Sequence, residues 1–286
     1  MLQDQPLTIS ALLRTFLRPI SLTWFLMLCE TALTALIPLL IGFAIDDLLA
    51  DSTTALLQLA AVLAVLIAVS VIRRLYDTRV YGTIGVELGK ALTERSATVP
   101  VSTVNARLEM SRELVDFLEN QAPAVMASVI QLAVALVVLF AFHPFLFGAT
   151  CAATVLMIVF YALSHRRFFR LNAEYNQQTE QQVRILETAQ PEGILSHLNK
   201  IRRIGIRLSD TEAYVYGAIY TAMLGLILFN LWFAATNMEI TVGRIFSIIS
   251  YSWEFVEAAL VLPVTLQSWS RLSEIMERIN QTSDTA

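Results

Sequence analysis

The apolar positions of this chain fall into six long, nearly unbroken runs, roughly 21–45, 57–72, 122–142, 145–163, 213–235 and 245–266, separated by polar stretches. The runs are rich in Leu, Ala, Val and Ile and lack a period of two. A transmembrane barrel would alternate over strands of about 10 residues, whereas about 20 consecutive apolar residues cross a bilayer as a helix. The pattern predicts an all-α polytopic membrane protein with six spanning helices. The second run is short, so its helix must continue past Arg73 or tilt little. Ahead of the first run, "PLTISALLRTFLRP" sets Leu7, Leu12, Leu13, Phe16 and Leu17 against Arg14 and Arg18. That is the pattern of a short elbow helix on the membrane surface over residues 1–20. A secretory signal's short apolar core and small-residue cleavage site are missing, and the first run is expected to stay in the membrane.

Two of the polar stretches, 73–121 and 164–212, contain 49 residues each and carry a proline near the middle, Pro100 and Pro191. Around those prolines the residues are helix formers. Each stretch would extend its span by about 24 residues, or about 36 Å, and return as a second helix. Unstructured loops of that length are rare in compact proteins, so two helical hairpins are expected. Of the 20 Lys and Arg residues, 19 fall before the first run, in these two stretches, or after the sixth run. The positive-inside rule then places both termini and both hairpins in the cytoplasm, with the protein in the cell (inner) membrane. Residues 1–280 read as one six-helix domain and 281–286 as a disordered tail.

Composition agrees with a bilayer protein: 56% of residues are hydrophobic, 15% are charged, and the mean hydropathy is +0.61. The net charge of −4 carries no nucleic-acid footprint. Cys29 and Cys151 lie inside runs and read as small buried hydrophobes. His143, His165 and His197 are scattered without ligand spacing, so no metal site is expected. Gly148 and Ala152 form a small-x-x-x-small pair that would admit close helix approach, while Gln131 and Asn230 read as helix-to-helix hydrogen bonders.

Several stretches together resemble the six-helix transmembrane domain of ABC exporters, over essentially the whole chain. "ALIPLLIGFAIDDLLA" (35–50) is similar to that family's first span, and "PVSTVNARLEMSRELVDFLEN" keeps its Ser-Arg-x-x-x-Asp spacing at Ser111, Arg112 and Asp116. "ITVGRIFSIISYSW" (240–253) resembles the start of its sixth helix and "SRLSEIMERIN" (270–280) its exit helix. The resemblance implies pairing of two such domains, as a homodimer or with a similar subunit, and hairpin tips that dock onto ATP-binding domains. By similarity the docking turns would lie at Pro100, Val101 and Ser102 and at Pro191, Glu192 and Gly193. The glycine usual near the first hairpin motif is replaced, with Arg107 at about its place. No G-x-x-x-x-G-K-[ST] string occurs; "GVELGKAL" around Gly89 and Lys90 lacks the spacing and the hydroxyl. The chain stops six residues after Asn280, so no catalytic function and no cofactor of its own are expected, and ATP would be bound by a separate subunit.

Three carboxylates lie within the apolar runs: Glu30, Glu254 and Glu257. Glu254 and Glu257 are three residues apart and share a helical face. Glu30 and Glu257 lie at similar depths, about 12 and about 14 Å from the cytoplasmic ends of their runs. No Lys or Arg occurs inside a run, and an ionised carboxylate at such depth costs on the order of 3 kcal/mol. These residues either line an aqueous cavity, binding a cationic substrate or carrying protons, or accept hydrogen bonds from neighbouring helices and pin the packing. Tyr220 and Trp253 are candidate cavity aromatics; Tyr214, Tyr216 and Trp269 read as packing or interfacial residues. Three readings stand: the membrane subunit of an ABC-type transporter, a proton-coupled secondary transporter of peptide-like or cationic substrates, and a non-transporting membrane module.

Overall fold

A computed structural model describes residues 14–95, 101–182, 185 and 191–281. The elbow segment up to residue 13 and the tail after residue 281 lie outside the described residues. Among the described residues there is no strand. The helices are α1 (Leu17–Leu49), α2 (Thr54–Arg95), α3 (Val101–Asp116), a π-helical turn (Phe117–Gln121), α4 (Ala122–Phe142), α5 (Pro144–Glu180), α6 (Pro191–Asn237) and α7 (Val242–Gln281). Two compact units divide them: Met1–Ala141 with Met238–Ala286, and Phe142–Asn237.

In the first unit α1 packs on α2 and α7, and α2 packs on α3. Sequence spacing sets the faces. Buried residues of α1 recur as Ile20, Thr23, Met27, Thr31, Ala35, Pro38 and Gly42, steps of three and four that keep one stripe inward. The apolar part of α2 does the opposite, exposing Leu57, Val65, Ile67 and Val71, as a face meant for lipid or another span would. Beyond that part α2 becomes amphipathic. Tyr81, Ile84, Leu88, Ala91 and Leu92 form a core with Ile20, Leu114, Phe117 and Leu118, which holds the polar extension of α2 against α3. The α1–α2 link turns at Asp51, with φ of 58°, a left-handed value that aspartate tolerates better than most residues. The Asp47 carboxylate accepts from the Ala55 amide at 2.9 Å and caps α2.

The second unit is the pair α5 and α6. Leu146, Thr150, Ala153 and Met157 of α5 are buried, as are Thr211, Val215, Ile219, Met223, Leu226, Asn230 and Ala234 of α6. Both sets step by three and four and make one seam. α5 starts with Pro144, and the His143 ring accepts from the Phe145 amide at 3.2 Å; proline at N1 and a side-chain acceptor at the cap together define the start. Gly148 and Ala152 are exposed, and a Cβ on Gly148 would meet nothing within 4 Å. The expected close approach at this pair is therefore absent from the described residues.

Close approach occurs where α1 crosses α7. A Cβ on Gly42 would sit 2.5 Å from the Gly243 carbonyl oxygen, and one on Gly243 would overlap the Gly42 carbonyl. The crossing is stitched by polar contacts. Asp46 accepts from the Gly243 amide at 2.8 Å and from the Thr241 hydroxyl, Ser247 donates to the Pro38 carbonyl at 3.0 Å, and Tyr251 donates to the Ala35 carbonyl at 2.7 Å. A carboxylate from α1 thus caps the N-terminus of α7.

Candidate functional site

The α1–α2 seam carries the first carboxylate cluster. Ser70, Arg73 and Asp77 stand three and four residues apart on one face of α2, and that face meets Glu30 of α1. The Ser70 hydroxyl donates to Glu30 Oε1 at 2.5 Å, Arg73 Nε donates to Glu30 Oε2, and Arg73 Nη1 donates to Asp77 Oδ2 at 3.3 Å. Side-chain exposures are 23% for Glu30, 25% for Arg73 and 7% for Asp77. One turn on, Thr23 and Tyr81 continue the seam with a 3.4 Å hydroxyl pair. Glu30 is therefore not a carboxylate without a basic partner, as expected from the apolar runs. Arg73 begins one residue past the second run, and the antiparallel register of α2 returns it to the level of Glu30. Asp77 Oδ1 is buried with no hydrogen-bond partner among the described residues.

Beside this cluster lies a cavity of about 290 Å³ among α1, α2, the π turn and α4. Glu30, Arg73, Arg74, Asp77 and Glu119 supply its charged lining. Gln131 lines it as well, so this residue, expected to bond helix to helix, faces a polar space. Sequence reasoning did not reach Asp77 or Glu119. The signal it could have used is the spacing of Ser70, Arg73 and Asp77, which gives α2 a polar stripe just where its apolar run ends.

Glu254 and Glu257 lie on α7. Glu257 is exposed and accepts from Trp253 Nε1 at 2.7 Å on the same helix. Glu254 is partly buried, and its Oε2 is buried without a hydrogen-bond partner among the described residues. The neighbouring Tyr251 hydroxyl is engaged by α1. Continuing the antiparallel contacts at 46 with 243, 38 with 247 and 35 with 251 by one more turn sets Glu30 at the level of residues 254–257. Among the described residues, no hydrogen bond or ion pair joins Glu30 to either glutamate.

Trp253 is half exposed. Tyr220 belongs to the second unit and is also half exposed. Of the hairpin motif, Ser111 is buried and donates to the Leu108 carbonyl at 2.7 Å. Arg112 is exposed, and Asp116 accepts from Asn120 at 2.7 Å; no ion pair joins Arg112 to Asp116 among the described residues. Pro100 lies outside the described residues. Val101 and Ser102 begin α3, and Pro191, Glu192 and Gly193 form the first turn of α6. Proline suits N1 because the missing amide has no helical acceptor there, and Glu192 suits the positive end of the helix dipole.

The sequence pattern of the ABC transporter transmembrane region matches residues 9–243. No match is found among curated proteins.

Proposed function

Because the chain belongs to the family of ABC transporter transmembrane regions, and is accordingly a multi-pass membrane protein, we propose that it is the membrane subunit of an exporter-fold transporter. It acts as a dimer, moves its substrate by alternating access, and is energised by ATP hydrolysis on a separate ATP-binding subunit. No P-loop string occurs in these 286 residues, which supports placing the ATPase elsewhere. In this reading both termini lie on the cytoplasmic side of the cell (inner) membrane, which the Lys and Arg distribution supports.

The observation that carries this reading is helix length. α6 has 47 residues, a rise of about 70 Å, whereas the hydrocarbon core needs about 30 Å. Some 40 Å of helix is left to carry the Pro191–Gly193 end away from the membrane, a rigid lever from an ATP-binding partner to the spans. Glu254, Glu257 and Glu30 belong to the substrate path in this reading, with Glu254 the most exacting position because its buried oxygen has no donor among the described residues.

The test is recovery of the tagged protein from a mild detergent extract of its native cells, with ATPase assay and identification of what accompanies it. A stoichiometric P-loop protein is expected, released when Glu192 and Gly193 are replaced by proline. Recovery of the protein alone, without ATPase activity, overturns the assignment. The unpartnered Glu254 oxygen favours a second reading, proton-coupled transport. In that case uptake or efflux persists when ATP is depleted and collapses with a protonophore, the reverse of the ABC outcome.

A further inference from the structure

The cavity beside α1 and α2 sets Glu30, which the transport reading places on the substrate path and on which this inference therefore rests, beside Asp77 and Glu119, which that reading leaves unused. Three carboxylates line it, Glu30, Asp77 and Glu119, against Arg73 in the cluster and Arg74, which is exposed. Arg73 divides its guanidinium between Glu30 and Asp77. Asp77 nevertheless keeps one oxygen with no donor among the described residues, although its side chain is only 7% exposed. A buried carboxylate oxygen left without a donor is among the least favourable arrangements in a folded protein, and a positively charged N–H donor would relieve it. Met27, Pro123, Ala124 and Ala127 add an apolar wall to the same cavity. A π turn such as Phe117–Gln121 adds one residue to a helix and recurs at functional sites; here it contributes Glu119 and Asn120 to the lining.

We propose that this cavity is a binding site for a protonated primary amine bearing a small apolar body. The ammonium would sit on Asp77 and Glu30, and the body would lie against Met27, Pro123, Ala124 and Ala127. At about 290 Å³ the space lies at the small end of ligand pockets, about 300–1,000 Å³, and suits a ligand of modest size. Arg73 is the built-in competitor: it neutralises the carboxylates when the site is empty and gives up part of its pairing when an ammonium arrives. Binding of this kind does not depend on which energy source drives transport, since it needs no turnover.

The experiment is calorimetric titration of the purified full chain in mild detergent with phenethylammonium. 2-Phenylethanol serves as the neutral isostere and separates site binding from partition into the micelle. Phenethylammonium is expected to bind saturably and the alcohol not to. Asp77→Asn weakens binding about tenfold or more through loss of a charge-assisted bond. Ala127→Phe abolishes binding by filling the space without altering a charge, which keeps the test decisive where Asp77→Asn folds poorly. Arg73→Gln binds the amine more tightly, and the amine raises that variant's Tm more than the wild type's. Equal binding of the alcohol, or amine affinity unchanged in both Asp77→Asn and Ala127→Phe, overturns the site. Weaker amine binding by Arg73→Gln overturns the competitor role.

Discussion

Arg73 is the hinge of the α1–α2 cluster, and a double-mutant cycle with Glu30 measures how much the pairing contributes. Removing one partner of a buried ion pair costs about 3–5 kcal/mol because the other charge is left uncompensated. Arg73 and Glu30 are each about a quarter exposed, which moderates that figure, but Arg73→Gln strips two carboxylates at once, and Asp77 has almost no access to water. A loss of about 3 kcal/mol is expected. Glu30→Gln is milder, about 1 kcal/mol, since Arg73 keeps Asp77 and Ser70 can still donate to the amide oxygen. In the double variant the Glu30 charge no longer needs a partner, so the cost should be about 2.5 kcal/mol rather than the additive 4, a coupling of about 1.5 kcal/mol. The assay is reversible unfolding by SDS in mixed micelles, followed by fluorescence of the four tryptophans. Additivity within about 0.3 kcal/mol would refute the cluster as a coupled unit and reduce the Arg73–Glu30 contact to proximity.

The α1–α7 crossing gives a second expectation: Gly42→Ala and Gly243→Ala each destabilise by about 1–3 kcal/mol through overpacking. Ser247→Ala does not rescue Gly42→Ala, because the clash with the Gly243 carbonyl remains; full rescue in the same unfolding assay would contradict the geometry. Asp46→Ala loses the acceptor for Gly243 and Thr241 and costs about 2 kcal/mol, whereas Asp46→Asn keeps one oxygen and costs about half as much; equal costs would mean that charge, not the cap, matters. Glu254→Gln is expected to slow substrate transport in proteoliposomes about tenfold or more while leaving unfolding unchanged, and wild-type transport would return Glu254 to a packing role. Trp253→Phe removes the indole donor of an exposed Glu257 and should shift stability by less than about 0.5 kcal/mol, so a larger loss would place Trp253 in the structural seam.

How far the sequence reached is set by which interactions are local. The long apolar helices, five of them long and apolar enough to cross a membrane among the described residues, were legible because continuous apolar runs report on a bilayer whichever helices pack together, and the helical extensions because polar helix formers filled stretches too long for loops. Pro191 was legible as the boundary from which a second helix returns, and it starts α6, because a residue that breaks a helix from within is well suited to N1. Glu30 shows the deeper limit. Its depth in α1 was read from counting residues, yet depth alone could not say what faces it. Whether Arg73 lies level with Glu30 depends on the length of the Ala50–Thr53 link and the antiparallel register of α2, and neither is written in the hydropathy of either helix. Gly42 and Gly243 failed for the same reason in reverse. They are 201 residues apart and form no i, i+4 pair, whereas Gly148 and Ala152 form one and face open space. A carboxylate buried in a span is thus an incomplete observation until the facing helix has been set in register. Once that is done here, the exceptional group on this seam is no longer Glu30, which is paired, but Asp77, which lines the cavity and whose second oxygen is buried without a donor among the described residues.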